Sequence, residues 1–332
     1  MPDSVGRLKV PVRYQLFASH QRSLYYLPRV ILQTMCVKYD ALCYGAISLD
    51  ISGRVAGLAP GIQDSATDYE IYPGGDATLV ALTLAGLGWK VALAGGPVGK
   101  DPMGDYLRQR IAEAGIDLYA DTRGKTSVSA VTVDRRGDRT SITFHEDTPL
   151  NEIPVPVDLV SRSRSLYACG CYGENSARLG EKARAVKVPS VLNARADNLS
   201  FLGWFDVAIA SIANVRTLAK DPAEAAAILH AAGAGTAIVT AGEQGCAYCT
   251  TDTGILSAYK VDPVDCTGAG AAFAAGFIHA GLQGLKLQDR LRYASAAGAL
   301  KCLHRGSYRR LTQEELDHLV ESWQVNTNQT VA

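Results

Sequence analysis

The sequence predicts an α/β domain with a mainly parallel sheet and a small β-stranded flap beside it. Three features carry that expectation. Short apolar runs alternate with helical stretches along most of the chain, glycines mark the junctions, and two segments alternate in the manner of a hairpin. Glycine is abundant, at 32 of 332 residues, against roughly 7% of an average chain.

The first 38 residues stand apart. They carry Arg7, Lys9, Arg13, Arg22, Arg29 and Lys38 against Asp3 alone. Acid-poor, Arg-containing extensions can be targeting peptides, but Ser and Ala are not enriched here. A disordered tail, or an over-extended start with Met35 as the initiator, is the expectation. One domain is expected over residues 39–332.

The elements follow in order. Residues 41–45 are a short apolar run ending in Gly45, as in a buried strand. Residues 77–87 form an Ala/Leu-rich helix opened by Gly74, Gly75 and Asp76 and closed by Gly86 and Gly88. Residues 91–94 read as the next strand. Residues 104–114 make an amphipathic helix, with Leu107 and Ile111 on one face and Arg108, Gln109 and Glu113 on another. Strand, helix and strand in succession imply parallel pairing. Residues 127–134 and 139–144 alternate around a turn at 135–138. With residues 47–51 and 69–72 they predict a small antiparallel flap. Strands at 190–193, 207–210 and 237–240, with a helix at 222–232, resume the α/β rhythm.

Composition excludes several functions. Lys plus Arg number 33 and Asp plus Glu 33, so no broad phosphate-binding surface for nucleic acid is expected. No apolar run approaches the roughly 20 residues that span a bilayer. The eight cysteines do not form a disulfide framework at this length, and each is expected as a small buried apolar group in a reducing cytosol. Cys246 and Cys249 lie three apart in a strand-like run, so they point to opposite faces and make no metal pair.

The glycine loops carry the chemistry. Gly268, Ala269 and Gly270 feed an Ala/Phe-rich helix from Ala271 onward, and a helix N-terminus presents backbone N–H groups to an anion. Residues 95–101 imitate a P-loop, but the spacing is one residue short and Asp101 stands where a metal-binding hydroxyl belongs. The 268–270 turn lacks the third glycine of a dinucleotide fingerprint.

At these residues the sequence resembles the pfkB-type, ribokinase-like carbohydrate kinases. One carrying stretch runs from Gly74, Gly75, Asp76 and Ala77 through Gly88 to residues 98–104. The other is Asp265, Cys266, Thr267, Gly268, Ala269 and Gly270, with the helix after it. Residues 45–50, 240–245 and 294–300 add agreement, so the likeness covers about residues 39–319. It implies a three-layer α/β/α domain, with lid strands from about 46–73 and 126–146. It also implies transfer of the γ-phosphoryl group of ATP, with Mg²⁺, to a hydroxyl of a sugar or nucleoside, and a homodimer through the lids. By resemblance Asp50, Gly74, Gly75 and Asp76 contact substrate, and Thr240, Gly242 and Gly245 belong to the nucleotide pocket. Gly268, Ala269 and Gly270 form the anion hole, and Asp265 and Thr267 hold a monovalent cation, K⁺.

The pattern breaks at polar positions. The family's base is an Asp directly after Gly-Ala-Gly, and here that position is Ala271, whose methyl accepts no proton. Leu79 stands for an Asn, and Ser211 to Asn214 stand for an Asn-x-x-Glu whose carboxylate is gone. Asn193 and Arg195 lie where an Asp-containing segment is expected. Three readings follow: a sugar kinase with impaired chemistry, a pseudokinase that still binds a sugar, nucleoside or nucleotide, and a structural partner protein that dimerises through its lid edges.

Overall fold

The computed structural model describes residues 37–57, 65–134, 139–144 and 152–329. Residues 1–36, including Met35 and most of the basic extension, and the turn at 135–138 lie outside them. Lys38, assigned from sequence to the extension, already belongs to the fold. Its N–H donates to the Arg162 carbonyl at 2.8 Å and its Nζ to Asp117 at 2.9 Å.

Strand β1 (Ala41–Gly45) leads into β2 (Ser48–Arg54) and β3 (Thr67–Gly74). Helix α1 (Asp76–Gly86), β4 (Val91–Gly95), α2 (Pro102–Glu113) and β5 (Asp117–Ala120) follow, then β6 (Ser127–Val133) and β7 (Arg139–Phe144). The second half runs α3 (Val157–Val160), β8 (Leu166–Cys169), α4 (Glu174–Val186), β9 (Ser190–Asn193), β10 (Val207–Ser211) and α5 (Ile212–Val215). It continues through α6 (Pro222–Ala231), β11 (Thr236–Thr240), β12 (Cys246–Cys249) and β13 (Thr253–Leu256). Helices α7 (Ala269–Leu282), α8 (Leu287–Cys302) and α9 (Gln313–Gln329) close the described chain.

The main sheet has the order β13-β12-β11-β10-β9-β8-β1-β4-β5. It is parallel from β5 to β11, and β12 and β13 close one edge antiparallel. That edge pairing is invisible in the alternation of apolar runs and helices. Successive residues of the central strands enter opposite cores, as the pleat requires. Ala41 and Cys43 of β1 and Val91 and Leu93 of β4 pack on the side of α1, α2, α7 and α8. Leu42 and Tyr44 of β1 and Ala92 and Ala94 of β4 pack on the side of α3, α4 and α6. The result is the α/β/α layering expected. Among the described residues no helix is long and apolar enough to cross a membrane.

The flap is a second sheet of order β3-β2-β6-β7. The expectation of an all-antiparallel flap is corrected here. β2 pairs with β3 antiparallel but with β6 in parallel, from Ser48 opposite Ser127 to Arg54 opposite Val133. The parallel pair is possible because β2 and β6 are separated by β3, α1, β4, α2 and β5, a crossover long enough to bring the chain back in the same direction. Helix α7 also starts two residues earlier than read, at Ala269, because Gly268 itself is the N-cap.

The imitation P-loop is a stapled connection between β4 and α2. Asp101 caps α2 by accepting the Gly104 N–H at 2.8 Å, and its other oxygen accepts the Thr126 N–H at 2.8 Å. The cysteines divide. Cys43, Cys169, Cys246 and Cys249 are buried as expected, but Cys171 and Cys266 are exposed. Cys171 sits on the short turn after β8, and Cys266 in the loop before α7, where it borders two clefts.

His279 on α7 is buried, and its Nδ1 accepts the Trp89 indole N–H at 2.9 Å. Burial holds its pKa below the ordinary 6.5, against an opposing pull from Asp317. The unfolded chain therefore takes up its proton at higher pH than the folded ring does, so stability declines as pH falls through about 6.5. Urea denaturation is expected to show this loss between about pH 7 and 5.5, and His279→Asn, which keeps an acceptor for Trp89, flattens it. Parallel stability–pH curves for the two proteins would exclude the assignment.

Candidate active site

Two clefts open at the carboxyl ends of the parallel strands, the place where open α/β sheets bind ligands. One has a volume of about 590 Å³ and is largely apolar, walled by Ala258, Tyr259, Val261, Pro263, Phe273 and Ala299. Thr240, Gly242 and Gly245 also line it, bringing together the three residues assigned to the nucleotide. The other, about 560 Å³, is polar and is lined by Asp76, Asn193, Arg195, Asn214, Asp265 and Thr267. Ser211, Thr240, Cys266 and Gly270 border both, so the clefts adjoin at the N-terminus of α7.

That N-terminus is built by Gly268. Its φ is +81°, and a Cβ there would lie 2.0 Å from the Ser307 carbonyl oxygen, so only glycine fits. The Ala269 N–H is engaged by the Cys266 carbonyl and the Ala272 N–H by the Gly268 carbonyl. The N–H groups of Gly270 and Ala271 are left without intrahelical acceptors. Nothing lies within 4 Å of a Cβ built on Gly270. Ala271 lines the polar cleft and is also part of the core beneath it. Its methyl group forms part of the cleft floor.

Asp76, in the first turn of α1, accepts the Asn193 Nδ2–H at 2.8 Å, with Cys169 Sγ at 3.9 Å from the same oxygen. Cys169 Sγ in turn lies 2.9 Å from Cys171 Sγ, and its pKa is raised by that neighbour and by burial. Asn193 and Asp76 thus form one polar wall from β9 and α1. Ser211 caps α5 by accepting the Asn214 N–H at 3.3 Å. Among the described residues no group of three or more His, Cys, Asp or Glu could hold a metal ion.

The remaining expected substrate contacts lie elsewhere in this conformation. Asp50 is buried on β2, accepting from Ser48 Oγ at 3.2 Å and Ser307 Oγ at 3.3 Å. Its carboxylate lies where a side chain on Gly74 would be, 2.1 Å from a Cβ built there. Asp50, Gly74 and Gly75 form one knot at the base of the flap, while Asp76 reaches the cleft.

Asp265, expected with Thr267 to hold a monovalent cation, already has protein donors on both carboxylate oxygens. Its Oδ1 accepts the Thr267 N–H at 2.8 Å and its Oδ2 the Gly306 N–H at 2.9 Å. Its carbonyl accepts Lys301 Nζ at 2.7 Å. Burial, and then the Cys266 thiol, push the Cys302 pKa up to about 12. Sequence reasoning missed Lys301 and Ser307: one sits in an Ala-rich helix and the other in a short loop, and neither carries a motif.

The model of the pfkB family carbohydrate kinases matches residues 38–314. The chain is 28% identical over 314 residues to "Probable fructokinase-6, chloroplastic" of Arabidopsis thaliana, covering 83% of this chain and 81% of that one. In structure it is similar to a Thermotoga maritima ribokinase, with a TM-score of 0.72, 20% identity and coverage of 85% and 99%. It is also similar to the Arabidopsis thaliana ribokinase solved with ribose and ATP, with a TM-score of 0.69, 18% identity and coverage of 85% and 99%. The fold, the glycine turn at the head of α7 and the match across residues 38–314 agree, and the chain belongs to the pfkB family of carbohydrate kinases.

Proposed function

We propose that this chain binds ATP and a small sugar across the N-terminus of α7 and transfers the γ-phosphoryl group to a sugar hydroxyl, with the rate held down by the missing base. The observation that carries this is the meeting of an apolar and a polar cleft at Gly270, with Ala271 on the floor. The apolar cleft suits a nucleobase between Tyr259, Phe273 and Ala299, and Thr240, Gly242 and Gly245 border it. The free N–H groups of Gly270 and Ala271 suit the charge that develops on the transferring group, with Gly268 and Ala269 shaping the turn. Asp76, Asn193, Arg195 and Asn214 supply acceptors and donors for a polyol. Asp50, with Gly74 and Gly75, would join them from the flap, since a carboxylate has about four acceptor sites.

Mg²⁺, when bound, would neutralise charge on the phosphates. It would be carried mainly by the nucleotide and water, with Asp76 and Asp265 as the carboxylates lining the cleft that could hold it. The protein's own part is to bind, orient and offer N–H donors. A general base typically contributes 10²–10⁴-fold, so its absence slows the reaction without dismantling the site.

A second reading, a pseudokinase that binds these ligands as a sensor, is favoured by Leu79. It is buried in the core, where the resemblance implies a polar Asn. One experiment separates the two. ATP is expected to raise the melting temperature of the wild type. Turnover with D-fructose or D-ribose should fall at least about 10²-fold below the 1–100 s⁻¹ of ordinary kinases. Ala271→Asp should raise kcat by about 10²–10⁴. Recovery supports the impaired kinase, ATP binding without recovery supports the sensor, and wild-type turnover at 1–100 s⁻¹ would overturn both.

We infer a second copy of this chain as partner, seated on the outer face of the flap. Ile71, Ile51, Ala130 and Ile142 stand in register across its four strands; two residues along, Leu49 and Val128 turn into the core while Phe144 stays exposed. Ile71, Ile142 and Phe144 of that face are exposed, an apolar row that pairing would cover. Sedimentation is expected to give a dimer, and Ile142→Lys with Phe144→Lys a monomer. A monomeric wild type would exclude this face as an interface. A reducing compartment such as the cytosol fits the buried thiols, of which burial pushes Cys43 well up.

A further inference from the structure

We propose that Lys301 is a tethered cation, holding the turn at the head of α7 in place of a bound monovalent metal ion and making that turn independent of K⁺. The proposal rests on reading the 268–270 turn as an anion hole.

Lys301 lies in the last turn of α8 and is 1% exposed. Its Nζ donates to two backbone carbonyls from two different stretches, Asp265 at 2.7 Å and His304 at 3.1 Å. Carbonyl oxygens converging from separate loops are what a hard monovalent or divalent cation is offered in a protein. Here an ammonium group, with three donors and about the size of K⁺, stands at the point of convergence. Burying an amine is costly unless its N–H groups find acceptors, so a lysine inside this Ala-rich helix has a definite task.

The surroundings show what the task is. The Asp265 carboxylate bridges the same two stretches, accepting from Thr267 N–H on one and Gly306 N–H on the other. The Cys302 carbonyl accepts the N–H groups of both Val264 and Asp265, at 2.8 and 3.1 Å. Both carboxylate oxygens of Asp265 and its carbonyl oxygen therefore each hold a protein donor already. Three residues beyond Asp265, Gly268 packs its bare Cα against the Ser307 carbonyl. The separation of residues 264–268 from 302–307 thus sets where the N–H groups of Gly270 and Ala271 stand. Lys301 controls that separation without touching either cleft. It is a positioning residue, acting through Asp265.

The test uses the full-length chain in choline, Na⁺ and K⁺ buffers, with melting temperature and Mg²⁺–ATP affinity as readouts. Wild type is expected to respond alike in all three. Lys301→Ala opens a cavity of ionic size. In choline it is expected to lower the melting temperature and weaken ATP binding by roughly tenfold to a hundredfold, the loss of charge-assisted hydrogen bonds. K⁺ or ammonium should restore both, while Lys301→Met, which fills the space with an apolar chain, should lose both without rescue. The proposal is overturned if K⁺ stabilises wild type as strongly as Lys301→Ala. It also falls if Lys301→Ala is unimpaired in choline or if no monovalent cation restores it. Should Lys301→Ala fail to fold in choline, its refolding yield is compared in KCl. A higher yield in KCl supports the proposal, and an equal yield overturns it. Failure of wild type to bind ATP would remove the nucleotide reading, while the melting temperatures still decide the role of Lys301.

Discussion

Asp265 ties three stretches of chain together, and the shape of both clefts follows from that tie. Its carboxylate holds Thr267 and Gly306, and its carbonyl holds Lys301. Ser307, next to Gly306, reaches Asp50 at the base of the flap. The flap, the loop after α8 and the head of α7 are therefore one connected polar network inside an otherwise apolar domain. Hydrogen bonds to a charged group are each worth about 1.5–3 kcal/mol, and removing one partner leaves the others buried and unsatisfied. Such a network is hard to alter piecemeal.

Its position explains why the site sits where it does. Strand ends on the main sheet point their last carbonyls and side chains toward the same edge, which brings Cys169, Asn193, Ser211 and Thr240 into line. Helix α7 enters that edge with its N-terminus foremost, and its positive end favours an anion there. Apolar packing on one side of Gly270 and polar side chains on the other make two environments that a single ligand of mixed character, or two ligands meeting end to end, can occupy.

Much of this was legible in the sequence, and the exceptions have physical causes. β1, β4, β9, β10 and β11 are buried on both faces, so each shows as an apolar run. The partner and direction of β2 do not show, because a strand alternates identically beside a parallel or an antiparallel neighbour. The antiparallel edge of β12 and β13 escaped for the same reason. At the site, the turn at Gly268 to Gly270 and the pocket residues Thr240, Gly242 and Gly245 were readable from spacing and likeness. Lys301 was not, since a lysine in a helix reads as a solvated surface residue until its burial is known.

The glycines themselves now carry different weights as evidence. Gly268 is required by its φ and by the Ser307 carbonyl, and Gly74 by the Asp50 carboxylate lying against it. Any protein with this packing must keep them, whether or not it does chemistry. Gly270 has open space beside it, so the fold does not demand glycine there. Ala271 and Leu79 are the opposite case: both belong to one apolar cluster beneath the cleft, at positions where the resemblance implies polar groups. Removing one buried polar group strands its partners, but replacing several together with apolar ones can be neutral or stabilising. The fold therefore tolerates the loss of polar groups at these two positions, while it can scarcely tolerate the loss of Gly74 or Gly268. A scaffold under selection for stability alone would show the same contrast, with the glycines kept and the polar pair gone. Retained glycines thus speak for the architecture of the site, and only Gly270 and Ala271 speak for its chemistry.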